Sequence, residues 1–158
     1  MKTLEHGHET CTVRRLRPAD LDRVVALDAM VTGHERRGYF VHKLKENLLD
    51  TSVQVSLGAE ADGILVGFLL ARVWTGEFGL TDPVAVLDTI GVQPTFQHHG
   101  VGEALMTQLA TNLRGLNVSV LRTEVAWDDF GMLRFFHHRG FRPAPRVCLD
   151  LDLTQRPD

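Results

Sequence analysis

A chain of 158 residues is one ordinary domain in length, enough to bury a core without metal or disulfide staples. Its 44% hydrophobic and 23% charged residues describe a soluble globular protein, and no apolar run approaches the roughly 18 residues of a membrane span. A net charge of -3 without a basic stripe argues against nucleic acid as a partner, and two cysteines, Cys11 and Cys148, are too few for a disulfide framework or a four-ligand zinc site.

The start, MKTLEHGHETC, is polar and lacks the apolar segment of a secretory signal, so the expected location is cytoplasmic. His6, His8 and Cys11 in that tail read as a solvated, frayed segment rather than a metal cluster, and no metal is expected. One domain is read over residues 12–153. Alternation over residues 12–16 predicts a first strand. Pro18 then suits a first helical turn, and Leu21, Val24, Val25 and Leu27 carry the spacing of an amphipathic helix ending near Gly33. A second helix is expected over residues 35–49.

Residues 52–60 and 64–74 are rich in Val, Leu and Phe, and the Asp62-Gly63 pair between them suits a tight hairpin turn. Another strand is read over residues 84–92, stopped by Pro94. Apolar residues at 101, 104, 105, 109, 113 and 116 then predict a helix. A strand over 118–126, a helix over 129–139 stopped by Gly140, and a last strand over 141–153 with two early prolines complete the order βααβββαβαβ. Antiparallel strands followed by alternating elements imply a mixed sheet with helices on both faces, an α/β (α+β) architecture.

The segment carrying chemistry runs from Ile90-Gly91-Val92 through Gln97-His98-His99-Gly100-Val101-Gly102-Glu103, joining a strand to a helix through a Gln-x-x-Gly-x-Gly turn. A helix's first turn offers N–H groups without intrahelical partners and the positive end of its dipole, and glycines there let a pyrophosphate approach. It is neither the dinucleotide fingerprint nor a Walker loop, which disfavours nicotinamide and ATP. It resembles the acyl-CoA pyrophosphate loop of the GNAT superfamily, with Gln97, Gly100 and Gly102 at the matching positions. Residues 129–141 also resemble that family's Asn-x-x-Ala-x-x-Leu-Tyr-x-x-x-Gly-Phe segment, with Asp129 for Asn, Met132 for Ala and Phe136 for Tyr. The resemblance implies the GNAT fold, with a mixed, mostly antiparallel central sheet. It also implies acetyl-CoA as cosubstrate, an amine of a small molecule or protein as acceptor, and a cofactor site including Ile90, Gly91, Val92, residues 97–103, Asp129 and Phe136. A homodimer is left open.

In the ribosomal-protein alanine acetyltransferase branch, a Glu five residues before the Asn acts as base, and Glu124 lies five before Asp129. An amine attacks a thioester only after losing its proton, so a carboxylate near the acceptor serves that step. Two other candidates accompany it. Asp88 is expected to share a strand face with Val86, Ile90 and Val92, where burial would raise its pKa. Tyr39, the single tyrosine, could stand in as acid for the tyrosine that Phe136 replaces, or simply pack. Arg36 and Arg37 either steer acidic acceptors or form a solvated helix face, and His137 and His138 are expected at the surface. The Val92 N–H is the oxyanion donor implied by the family, and no covalent enzyme intermediate is expected. The alternative from another class is a non-catalytic acyl-CoA sensor, motivated by Phe136.

Overall fold

In the computed structural model the described residues are 3–6, 9–51, 53–76 and 79–154, those before residue 11 by backbone alone. His8 and Ser52, assigned above to the tail and to a strand start, lie outside them. The chain divides into two compact units, residues 1–124 and 125–158, and each is described by itself.

The first unit is built on one sheet whose strands lie side by side in sequence order: β1 (Thr3–His6), β2 (Glu9–Arg15), β3 (Leu57–Ala61), β4 (Ile64–Trp74), β5 (Val84–Val92) and β6 (Val120–Thr123). All neighbours are antiparallel except β5 and β6, which run parallel. Among the described residues three α-helices accompany the sheet: α1 (Leu21–Thr32), α2 (Arg37–Leu44) and α3 (Val101–Gly115). The β3–β4 hairpin closes through Asp62 and Gly63 at φ 50 and 76, the pair of positive angles that an Asp-Gly turn accepts at least cost.

Side chains alternate across a strand, so β4 feeds two cores. Phe68 and Leu70 pack with Val24, Val25 and Leu27 of α1, Phe40 and Leu44 of α2, and Leu48. On the opposite face, Val101 and Leu105 of α3 lie directly over Gly67. Fully burying one such Leu or Phe stabilises the fold by about 1.5–3 kcal/mol, so these two apolar layers carry most of the folding free energy.

Three elements depart from the expected pattern. The polar tail contributes β1, because the outer edge of β2 offers backbone groups that any extended segment can pair with, whatever its side chains. The helix expected over residues 35–49 is α2 followed by a wider π-type turn, Lys45–Leu49. The strand expected from residue 52 begins at Leu57, because the Ser56 hydroxyl takes the Ala71 N–H and donates to the Ala71 carbonyl, both at 3.1 Å, in place of a backbone rung.

The second unit holds α4 (Phe130–His138), capped by Asp129, whose Oδ1 accepts from the Met132 N–H at 3.1 Å. Phe136 is buried between the rings of Phe135 and Phe141, with centroids 5.3 and 4.9 Å away, while His137 and His138 are exposed as expected. Gly140, at φ 88, ends the helix. The last strand read over residues 141–153 is not formed: among the described residues this segment joins no ladder. Alternation alone does not make a strand, which needs a hydrogen-bonding neighbour, and Pro143 and Pro145 remove two backbone donors near its start. Among the described residues no helix is long and apolar enough to cross a membrane, and no three His, Cys, Asp or Glu side chains form a metal-binding group.

Candidate functional site

The site is built at the C-terminal half of β5. Over Val84, Ala85, Val86 and Leu87 this strand is paired on both sides, with β4 and with β6. The last rung is reinforced by Thr123, whose hydroxyl donates to the Leu87 carbonyl at 3.0 Å. From residue 88 onward β6 is no longer a partner, so one edge of β5 is left without a strand. Glu124 follows immediately after the last paired residue of β6, at the mouth of this opening, and is exposed.

Backbone groups on that edge point into the gap. The Gln93 N–H donates to the Val66 carbonyl at 2.8 Å, which makes the neighbouring Gly67/Val92 pair a non-hydrogen-bonded one. The N–H and C=O of Val92 therefore both face away from β4. The carbonyl accepts from Gln97 Nε2 at 3.1 Å, which folds the loop back on the strand end. The Val92 N–H is thus left turned outward on the open edge.

Beyond Val92 the chain makes a short 3-10 turn, Pro94–Phe96, and enters α3 through His98 at φ 62 and Gly100 at φ 83. Gly100 is the N-cap, a left-handed position that a β-carbon would strain, and a β-carbon there would meet nothing within 4 Å. The space in front of the α3 N-terminus is open, and the amides of Val101 and Gly102 face it without intrahelical acceptors. Opposite, Arg23 of α1 fixes the loop by donating to the Leu65 carbonyl and to Gln93 Oε1, both at 2.8 Å. Sequence reasoning missed Arg23, since a lone Arg on an amphipathic helix carries no signal of a partner 70 residues away.

β5 is irregular at the same place. Leu70 pairs with Thr89 but Ala71 pairs with Leu87, so Asp88 is an extra, bulged residue opposite nothing. This corrects the expectation that Asp88, Val86, Ile90 and Val92 share one face, because the bulge shifts the alternation between Leu87 and Thr89. Asp88 and Thr89 consequently both meet the α2 segment. Asp88 Oδ2 accepts from the buried Asn47 at 3.2 Å, Oδ1 accepts from Arg72 Nη2 at 3.3 Å, and Lys43 Nζ lies 3.7 Å away. Arg72 also pairs with Glu46 and stacks over Trp74 at 4.2 Å. This places Asp88 in a structural charge cluster. Thr89 meets the Tyr39 hydroxyl at 2.9 Å, a partner that sequence reasoning did not find.

Tyr39 is held from below. Arg36 stacks over the rings of Tyr39 and Phe40, at 5.0 and 5.6 Å, and forms a two-pronged bond to the buried Asp28 at 2.8 and 2.6 Å. Bonding to that carboxylate raises the Arg36 pKa. Arg36 is thus a support for Tyr39, whereas Arg37 forms exposed pairs with Asp22 and Glu35. Of the sequence-named residues, the first unit gathers Ile90, Gly91, Val92, residues 97–103, Asp88, Tyr39 and Glu124 around the open end of β5 and the start of α3. Asp129 and Phe136 belong to the second unit, where one caps α4 and the other packs.

Comparison with known proteins places these features in a group. The family described as "Acetyltransferase (GNAT) family" matches residues 21–141. Among solved structures, an aminoglycoside N-acetyltransferase, AAC(6')-Iy, in complex with CoA superposes with a TM-score of 0.76 at 18% identity over 95% of this chain and 99% of its own. The ribosomal-protein-S18-alanine N-acetyltransferase from Escherichia coli gives 0.70 at 21% identity over 85% and 79%. A transcriptional regulator from Bacillus halodurans C-125 gives 0.74 at 18% over 90% and 99%. No curated protein matches the sequence.

Proposed function

The chain belongs to the GNAT family of acetyltransferases, and on that premise we propose that it moves an acetyl group from acetyl-CoA to a primary amine of a small molecule or a protein. The observation that carries this reading is the one-sided end of β5, where a free strand edge with an outward Val92 N–H runs directly into the glycine-capped N-terminus of α3. Such an edge suits the amide-bearing arm of an extended thioester cosubstrate, and the helix start suits its pyrophosphate. The backbone fits the group it would hold.

In the proposed reaction the acceptor nitrogen loses a proton to Glu124, directly or through water, and attacks the thioester carbonyl. The carbonyl oxygen takes the negative charge against the Val92 N–H. The carbon–sulfur bond then breaks, the CoA thiolate leaves, and the nitrogen gives its second proton to water, so that the new carbon–nitrogen bond remains as an amide. Tyr39, paired with Thr89 and braced by Arg36, is the phenol offered to return a proton to that thiolate, since Phe136 has no hydroxyl. Asp88, engaged with Arg72, Lys43 and Asn47, is assigned a supporting role. The two cysteines are unpaired, which suits a reducing, cytoplasmic setting.

The test is direct. Incubation with acetyl-CoA and a panel of aminoglycosides, polyamines and N-terminal peptides should release free thiol with at least one acceptor above the hydrolysis background. If calorimetry shows acetyl-CoA binding while no acceptor is turned over, the second reading, an acyl-CoA sensor motivated by Phe136, takes its place. Absence of acetyl-CoA binding overturns both.

A further inference from the structure

The two neighbouring arginines of β2 are used in opposite ways. Arg14 turns to the face of the sheet that packs on α1, where Asp20 and Glu60 take three of its hydrogen bonds. Arg15, one residue further on, turns to the face that α3 covers. Among the described residues its guanidinium makes no hydrogen bond and no ion pair.

Arg15 borders a cavity of about 750 Å³, enclosed by β2, the start of β3, the C-terminal half of α3 and residues 53–55 of the chain leading into β3. Small-molecule sites ordinarily fall between roughly 300 and 1,000 Å³. The floor is apolar, formed by the buried Val13 and Leu57, and Leu116 adds apolar surface at the mouth, where it is 46% exposed. No Asp or Glu is among the described lining residues. The wall is held in place by its own hydrogen bonds, Gln54 Nε2 donating to the Leu48 carbonyl at 2.7 Å and the Ser56 hydroxyl joined to Ala71. On α3, Gln108 donates to Asn112 Oδ1 at 2.8 Å, which leaves the Asn112 amide as a second donor at the rim.

Gly115 is the other sign that this space is kept open. It lines the cavity, its φ lies outside the left-handed region, and a β-carbon there would meet no atom within 4 Å. The backbone does not call for glycine at this position, and any side chain would enter the open space in front of it. The cavity is also remote from the start of α3. The helix has 15 residues, so Gly115 lies roughly 20 Å along its axis from the Gly100 cap.

The charge and the floor together select the ligand. A planar guanidinium takes a carboxylate through two parallel N–H···O bonds. A phosphate carries about 1.5 to 2 negative charges near pH 7, which a single arginine above an apolar floor leaves partly unmatched. We propose that this cavity is a second binding site, for a small organic carboxylate with an apolar body. The carboxylate pairs with Arg15, and the body lies over Leu116 and the floor of Val13 and Leu57. The site stands independently of the acetyl-transfer reading.

Calorimetric titration of the full chain with octanoate and with 3-phenylpropionate, at low ionic strength, should show saturable binding of at least one, with a Kd at or below about 1 mM. The matching neutral amide should bind about fivefold or more weakly, the worth of one partly exposed charged pair. Arg15→Gln should weaken the carboxylate by the same factor and leave the amide unchanged, which a merely structural role for Arg15 would not do. Gly115→Leu should remove both, with the circular dichroism spectrum and melting temperature of the parent. Saturating acetyl-CoA should leave the carboxylate Kd within about twofold. No binding of either carboxylate overturns the proposal, as does equal affinity for acid and amide in the parent. Unchanged carboxylate affinity in Arg15→Gln overturns it as well, and so does displacement by acetyl-CoA, which would put the carboxylate in the cosubstrate site. Should Gly115→Leu fail to fold, Arg15→Gln decides alone, since that side chain bonds no other residue. None of these readouts needs turnover, so an inactive protein that binds the carboxylate would count against the acetyl-transfer reading alone.

Discussion

The two halves of β5 are one continuous strand with opposite uses. From Val84 to Leu87 it is paired on both sides, and Val84, Ala85 and Leu87 are buried in the core. From Asp88 to Val92 it bulges, loses β6 as a neighbour and ends in a glycine-capped helix start. A sheet binds an extended ligand where its own hydrogen bonds are left unmade, which is why the proposed site is placed where β5 stops being a complete strand. Perturbing groups on this strand that turn onto their neighbours should cost stability. Perturbing groups at its free edge and in the loop that follows should cost rate or affinity.

The largest break in that contrast is expected at Glu124. Glu124→Gln keeps the shape and removes the basicity, so kcat/KM should fall by ~10² or more with the acetyl-CoA Kd unchanged. Asp88→Asn is the counterpart. Because Asp88 faces Arg72 and Lys43, its loss should lower the denaturation midpoint more than it lowers the rate. If Asp88→Asn cripples turnover in a folded protein while Glu124→Gln does little, the base lies on β5.

Two glycines sharpen the same line. At Gly91 an added β-carbon would sit 2.8 Å from the buried Phe68 ring, so Gly91→Ala should cost about 1–3 kcal/mol in denaturant unfolding through overpacking. At Gly100 no atom is in the way, yet the left-handed backbone and the approach to the α3 amides both resist a side chain. Gly100→Val should weaken acetyl-CoA at least ~10-fold by calorimetry, roughly 1.4 kcal/mol. Equal affinity in this variant would move the pyrophosphate elsewhere.

Most of this was readable in the sequence because it is local. The Asp62-Gly63 turn, the spacing of Val101, Ala104, Leu105, Leu109 and Leu113, and the glycine loop each act within one turn of chain, and their residues declare their backbone. What escaped depends on partners. The bulge at Asp88 is visible only against the register of β4, and the links from Tyr39 to Thr89 and Arg23 to Gln93 span 50 and 70 residues. The segment over 141–153 reads as a strand because its alternation is real, but a ladder needs a neighbour that a single chain's pattern cannot name.

The smallest effect expected lies where every charge is already spent on another. Arg14 grips Asp20 with two nitrogens at 2.8 and 2.9 Å and Glu60 with a third at 2.7 Å, tying β2 to β3 and to the turn before α1. Burial pushes the Asp20 carboxyl up. The hydrogen bonds from Arg14 and the Arg17 N–H, with the charges of both arginines, push it further down, and the net shift is below the ordinary carboxylate value. A depressed folded pKa means that the contribution is complete above the unfolded value of about 3.9 and is lost as pH falls through the folded one. Asp20→Asn should therefore be less stable than the parent by about 1–2 kcal/mol at pH 7, the worth of hydrogen bonds to a charged group. The gap should hold down to about pH 5 and shrink as the pH falls through the lowered Asp20 pKa, where the parent's own Asp20 becomes neutral. Urea unfolding at pH 7, 5 and 3 checks this. A gap independent of pH would mean that the side chain acts by shape alone, whereas acetyl transfer at pH 7 and 25 °C should stay within twofold of the parent, since nothing in this cluster touches the open end of β5.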